Sequence, residues 1–352
     1  MPRFLVVVAV CFVVLGVLPS NAAYLNGQEY VSLGDWGRAS GFRMAIAGRE
    51  AVLTSKTSRL VFEVDSAQAQ VNGVNVRLSF PVASDRGMPL IAQMDIDTVL
   101  RPLLYPQRTT KHIVTICLDP GHGGKDTGNR VGSGLFAHNE KSYTLPLAME
   151  LRDQLKKAGF NVILTRSKDV YVDLPERPAM ANHAGADLFI SLHFNASQED
   201  KNDVEGPETY CITPTGATSS NAHGESGEFS SSIGTGPTTA NRCQSQSLLL
   251  AYQVQKSLTQ DLHATDRAVR RARFAVLRDA TMPAILIEGG YMTNPTEGQK
   301  VYSAAYRKQM AAAIVRGVLA YQSLAAPIPP PKPVPAIKTN LPPATVKPQS
   351  HK

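Results

Sequence analysis

The 352-residue chain holds only four cysteines and one tryptophan, and beyond its first two dozen residues it has no apolar run long enough to span a bilayer. Each shortage excludes something. No Cys-x-x-Cys occurs, so a thiolate zinc site is not expected. If Cys11 leaves with an N-terminal leader, three thiols remain and a fully paired disulfide framework is excluded. Cys117 lies within an apolar run, as a small buried side chain would, while Cys211 and Cys243 flank a Gly/Ser-rich stretch, and the sequence leaves open whether they pair to close it in an oxidising compartment. No solenoid-type repeat is visible. The net charge of +7 is not a nucleic-acid footprint, because Lys332, Lys338, Lys347, Lys352 and Arg3 supply five of those charges and leave the body near +2.

What is present divides the chain into segments. Met1-Pro2-Arg3, the apolar stretch from Phe4 to Leu18 and the small residues Ser20, Ala22 and Ala23 predict a signal peptide over 1–22. The product is then exported, periplasmic or associated with the cell envelope, with no membrane span in its mature form. Residues 24–105 run in short alternating segments with a hairpin signal at Asn72-Gly73, predicting a small β-rich accessory domain. Over 111–323, strand-like runs (Ile113 to Leu118, Phe160 to Thr165, Asp187 to His193, Glu208 to Ile212, Phe274 to Leu277, Ala284 to Ile287) alternate with helix-like runs (Ser142 to Ala158, Glu176 to Ala184, Ser245 to Leu262, Ala304 to Ser323). That order predicts an α/β fold, a mostly parallel twisted sheet flanked by helices. Residues 214–241 read as a Gly/Ser-rich insertion, and Ala325 to Lys352, with nine prolines, as a Pro/Lys-rich disordered tail.

Chemistry concentrates at strand ends, where open α/β sheets collect ligands. The run Ile113 to Leu118 empties into Asp119-Pro120-Gly121-His122-Gly123-Gly124, and Asp187 to Leu192 ends at His193-Phe194-Asn195. The glycines do not form a phosphate cradle, since the lysine and hydroxyl spacing of such loops is missing. Glu288 follows Ala284-Ile285-Leu286-Ile287, and a carboxylate at the end of a buried strand is costly unless paired, hydrogen-bonded or metal-bound. Glu140 opens a helix, where an acid ordinarily complements the dipole. Taken with His122 and His193, it instead completes a His₂Glu set of the kind that leaves catalytic zinc an open position, with Glu288 as the base that activates water. Asp119 reads as a brace for its loop or a partner of the ligands, and Arg177 as a structural ion pair or a contact to an acidic substrate. Asn195 stands where substrate would pass. His138 reads as part of an exposed loop near the cleft; the other histidines have no claim on the chemistry.

At this point the residues resemble a family. From 113 to 322 the chain is similar to the zinc-dependent N-acetylmuramoyl-L-alanine amidases of the amidase-3 type, through DPGHGG at Asp119 to Gly124, EKSYTL at Glu140 to Leu145, the segment Gly159 to Arg177, ANHAGADLFISLHFNA at Ala181 to Ala196 and PAILIEGGYMTNP at Pro283 to Pro295. The resemblance implies Zn2+ held by His122, Glu140 and His193, Glu288 as catalytic acid/base, and peptidoglycan (muramic acid and stem peptide) as substrate. A monomeric state completes the expectation, and the need for an envelope activator is left open. The rival readings are another envelope zinc peptidase or amidase, and a non-catalytic peptidoglycan-binding module. The segment from Tyr210 to Ser245 does not resemble the amphipathic helix that blocks the site in some division-associated relatives, so autoinhibition of that kind is not expected. Residues 24–105 resemble a copper-amine-oxidase N-terminal-like domain, with no copper implied because the segment contains no histidine.

Overall fold

A computed structural model describes residues 23–25, 27–109, 111–198, 201–219, 234–325 and 327. The predicted signal peptide, the middle of the 214–241 insertion and almost all of the predicted tail lie outside the described residues.

The N-terminal module contains β1 (Ala23–Leu25), β2 (Gln28–Ser32), α1 (Leu33–Ala39), β3 (Arg43–Ala47), β4 (Glu50–Thr54), β5 (Arg59–Glu63), β6 (Gln68–Val71), β7 (Val74–Arg77), β8 (Ala83–Asp85) and β9 (Met88–Ala92). It closes with α2 (Gln93–Asp95), a π turn (Ile96–Leu100) and α3 (Arg101–Leu104). Period-two patterning sets its strands: Ala51 and Leu53 of β4 and Leu60 and Phe62 of β5 are buried, and their neighbours face outward. Asn72 (φ 49°) and Gly73 (φ 85°) form the tight turn that pairs Val71 with Val74, as the Asn-Gly signal predicts. β1, β2, β9 and β8 make a separate four-stranded sheet.

The second part follows the expected alternation. Its elements are β10 (Thr115–Pro120), the short pair β11 (Arg130–Val131) and β12 (His138–Asn139), α4 (Lys141–Lys157), β13 (Asn161–Leu164), α5 (Glu176–His183), β14 (Leu188–Asn195) and β15 (Glu208–Ile212). Then come α6 (Gln244–Leu262), β16 (Val269–Ala272), α7 (Ala275–Arg278), β17 (Ala284–Tyr291), α8 (Pro295–Tyr302) and α9 (Ala304–Ala325). Strands β13, β10, β14 and β17 lie side by side and parallel, β15 joins β17 antiparallel, and β16 runs parallel to β15. The sheet is packed on both faces. Ile116, Leu118, Ile190, Leu192, Ile285 and Ile287 meet α4, α6 and α9 on one face, while Cys117, Phe189, Leu286 and Tyr210 meet residues of α5 and α7 on the other. Each buried aliphatic side chain contributes about 1.5–3 kcal/mol, enough to hold the strand ends at one level.

One expectation changes, one open point is answered and one pairing is added. Phe274 to Leu277 is not a strand: Phe274 caps α7, and the strand lies earlier, at β16. The sequence Val269-Arg270-Arg271-Ala272 conceals it, because two arginines in a row look solvated; in the fold Arg270 pairs with Glu208 and Arg271 donates to the carbonyl of Thr98. Cys211 and Cys243 do not form a disulfide; both are free, Cys211 Sγ facing the carbonyl of Arg270 at 3.7 Å and Cys243 Sγ that of Thr281 at 3.6 Å. The N-terminal strands also join the neighbouring sheet. Val76 of β7 pairs in parallel with Val269 of β16, so β7, β6, β5, β4 and β3 extend the C-terminal sheet to eleven strands. The C-terminal strands are mostly parallel and the whole sheet is mixed.

Candidate metal centre

Two adjacent parallel strands deliver the histidines. β10 ends at Pro120 and turns through Gly121 to His122, while β14 carries His193 near its end. Gly121 is obligatory by space: a Cβ there would lie 2.3 Å from the His193 ring. Gly128 has φ +62°, and a Cβ on it would meet the His122 ring at 2.5 Å and the Glu140 carboxylate at 2.6 Å. His122 itself sits at φ 60°, a left-handed conformation that costs a non-glycine residue about 1–2 kcal/mol. Its surroundings hold it there. Arg177 Nη2 donates to the His122 carbonyl at 3.1 Å, and Asp126 Oδ2 stands 2.9 Å from the ring Nδ1.

Glu140 immediately precedes α4, but its side chain does not cap the helix. It turns inward, 1% exposed, with Oε2 3.0 Å from His122 Nε2 and Oε1 3.1 Å from His193 Nδ1. The backbone N–H groups of Asn129 and Phe194 donate to the same carboxylate at 2.9 and 3.0 Å. Burial pushes the Glu140 carboxyl up, but His122 and His193 outweigh it and hold the group well below its ordinary range. Burial likewise pushes the His122 imidazole down, and Glu140 and Asp126 overcome this to raise it to about 10. His193 Nδ1 and His122 Nε2 are 3.2 Å apart. The three residues form the one group of potential metal ligands found among the described residues, with donor atoms all within 4.8 Å of one another. Donors on a tetrahedral zinc with bonds near 2.1 Å are about 3.4 Å apart, so two nitrogens and a carboxylate at 3.0–3.2 Å fit that ion.

Glu288 lies one strand away. It is the in-register partner of His193 across β14 and β17, and residues paired in register project from the same face. Glu208 of β15 is its partner on the other side, so His193, Glu288 and Glu208 form a row across three strands. A cleft of about 480 Å³ opens over His122 and His193, lined also by Lys125, Asp126, Tyr171 and Leu174.

The remaining expected residues are sorted by burial. Asp119 is fully buried and accepts from Thr165 Oγ1 (2.6 Å), Ser191 Oγ (2.7 Å) and Arg177 Nη1 (2.8 Å). Burial raises its carboxyl, but the Arg177 guanidinium and the two hydroxyls hold it below the usual range. Arg177, 1% exposed, also donates to the carbonyls of Pro120 and Val172, so its guanidinium is spent on the loop that carries His122. Asn195 is half-buried, its Oδ1 accepting from the Ala196 N–H at 2.8 Å, beside a register shift between β14 and β17. His138 is not an exposed loop residue: it is half-buried, stacks on Tyr302 at 3.7 Å between ring centroids and hydrogen-bonds Tyr143. Asp126 and Glu208 are missed by sequence reasoning. The only signal for Asp126 is an acid four residues after His122 in the glycine loop; Glu208 gives none, because its place depends on β15 lying beside β17.

Residues 116–320 match the family described as N-acetylmuramoyl-L-alanine amidase, Amidase_3. The amidase AmiC of Neisseria meningitidis is 34% identical over 221 residues, covering 58% of this chain and 52% of its own length. AmiA of Escherichia coli is 32% identical over 222 residues, covering 58% of this chain and 75% of its own. Among solved structures, an N-acetylmuramoyl-L-alanine amidase from Clostridium difficile aligns at 31% identity with a TM-score of 0.48, over 60% of this chain and 98% of that one. The alignment with the N. meningitidis relative thus spans about half of that protein. With its strand-end histidines, inward glutamate and matched span of more than half its length, the chain belongs to the N-acetylmuramoyl-L-alanine amidase family Amidase_3.

Proposed function

We propose that this protein hydrolyses the amide joining the lactyl group of N-acetylmuramic acid to L-alanine in peptidoglycan, with zinc held by His122, Glu140 and His193. The observation that carries the reading is the buried His122–Glu140–His193 set with Glu288 in register beside it, in a member of this family. When bound, zinc supplies Lewis-acid activation of water and of an amide carbonyl. Glu288 takes a proton from the attacking water on a carboxylate oxygen and returns it to the departing alanine nitrogen. Asp126 fixes the His122 ring through Nδ1, which leaves Nε2 directed at Glu140. Asp119 and Arg177 brace the loop, and Asn195 borders the path of the substrate.

The same reading takes 24–105 as an accessory module, 111–323 as the catalytic unit and 1–22 as an export signal, with an envelope location, an activator protein as a partner and a monomeric state. The test is digestion of purified peptidoglycan by the zinc-loaded chain, followed by mass spectrometry. Free stem peptides that begin with L-alanine are the expected product. Shortened stems still attached to glycan would reassign the protein as an envelope peptidase, and no release at all would leave it a binding module.

A further inference from the structure

The glycines that follow His122 make room for another loop. A Cβ on Gly123 would lie 2.2 Å from the Val170 carbonyl oxygen, and one on Gly124 would lie 2.6 Å from the Tyr171 nitrogen. The segment that comes so close runs between β13 and α5, a stretch without helix or strand, so side chains set its place. Arg166 Nη1 donates to the Lys168 carbonyl at 3.1 Å and Arg177 Nε to that of Val172 at 3.1 Å, which secures its two shoulders. Its middle is held by Asp169. Asp169 Oδ1 accepts from the Gly124 N–H at 2.7 Å and Oδ2 from Lys141 Nζ at 2.7 Å, and the same ammonium donates to the Gly124 carbonyl at 2.7 Å. These contacts close a clamp that joins the His122 loop, the residue after Glu140 and the β13–α5 loop.

Through Tyr171 and Leu174 the clamped loop forms one wall of the cleft over His122 and His193. Lys125 Nζ, from the glycine loop, stands 4.4 Å from the centre of the Tyr171 ring, and the Tyr171 hydroxyl is hydrogen-bonded to Asp173. The clamp is poorly placed to serve the fold. The Asp169 side chain is 58% exposed, and an ion pair so open to water adds little stability. What it does is geometric: it fixes a wall of the cleft against the segments that carry two of the three proposed metal ligands. A shift of such a wall changes how a substrate is seated without changing the reacting groups.

We infer that Asp169 is a positioning residue for the hydrolysis: with Lys141 it holds Tyr171 as the wall against which substrate is seated. The inference rests on the amidase reading. The zinc-loaded full chain is assayed on a soluble N-acetylmuramoyl-L-alanyl peptide, with zinc affinity measured by competition with a chromophoric chelator. Asp169→Ala should raise KM about three- to tenfold, keep kcat within about twofold and leave zinc affinity unchanged. Asp169→Asn, which keeps an oxygen for the Gly124 N–H but loses the charge that faces Lys141, should fall between Asp169→Ala and the wild type. Tyr171→Ala should raise KM by a similar factor, and the double variant should exceed the larger single effect by no more than about twofold, because both changes act through one wall. A merely structural Asp169 would give independent factors that multiply. The role is overturned by an unchanged KM in Asp169→Ala, by a zinc affinity that falls with it, or by factors that multiply in the double variant. Where thermal melting shows Asp169→Ala unfolded, the cycle is run with Asp169→Asn: factors that do not multiply support the role, and factors that multiply, or an unchanged KM, overturn it. A wild type that releases no alanine-terminated peptide is a separate outcome, which removes the amidase reading and the positioning role with it.

Discussion

If His122, Glu140 and His193 hold zinc as proposed, Asp126 and Glu288 are both acids beside its ligands, yet their positions predict opposite phenotypes. Asp126 touches the metal set through the His122 ring at 2.9 Å, so Asp126→Asn should weaken zinc binding about 10- to 100-fold, as measured by competition with a chromophoric chelator. Glu288 shares a row with His193 but is absent from the ligand group, so Glu288→Gln should retain a full equivalent of zinc and lose activity by about 10²- to 10⁴-fold. Zinc affinity unchanged in the first variant, or stem-peptide release near wild type in the second, would remove these roles. At this scale much was legible. His122, His193 and Glu288 each end an apolar run, and the cost of burying a charge there marks them. Asp126 was not legible, because its role depends on the loop turning back through glycines in conformations that the one-dimensional pattern does not record.

Strands, rather than single residues, decide the environment of Glu208. It lies on β15, antiparallel to β17 and parallel to β16, and only that order places its carboxylate between Arg267, Arg270 and two tyrosines. Burial pushes its carboxyl up, but Arg270, Tyr291 and Arg267 outweigh burial and bring it below its ordinary 4.5. A depressed folded-state pKa stabilises the protein above the unfolded value, and this contribution fades as pH falls from about 4.5 through the folded value. The melting temperature of the wild type should therefore decline below that point. Glu208→Gln should be less stable at pH 7 by about 3 kcal/mol and show a shallower acid decline. Parallel curves of melting temperature against pH for the two proteins would refute this. The element that sequence reading misplaced, β16, belongs to the same cluster. Its adjacent arginines serve opposite faces of the sheet, Arg270 towards Glu208 and Arg271 towards the π turn of the N-terminal module, so the charge that conceals the strand is also what joins it to its neighbours.

Across the whole molecule, the N-terminal module and the catalytic strands share one sheet through the pairing of Val76 with Val269. Asp266 secures that seam: its carboxylate accepts from the Asn75 N–H at 2.7 Å, the Gln255 side chain at 2.8 Å and the Ala268 N–H at 3.0 Å. Thermal unfolding should accordingly be a single transition, and Asp266→Ala, which removes all three bonds, should lower it by several degrees, for a loss of about 2–3 kcal/mol. Two well-separated transitions in the wild type would show instead that the module unfolds by itself. The sequence by itself determined the α/β class and singled out His122, Glu140, His193 and Glu288 as candidates, because apolar strands that end in His or Glu are local patterns of burial and charge. Tertiary structure alone decided that the N-terminal strands extend the catalytic sheet, that Arg177 braces a loop, that the two cysteines stay apart and that Glu208 lies beside Glu288. These depend on which strands become neighbours, and strand order is set by packing between segments far apart in the chain rather than by any pattern within them.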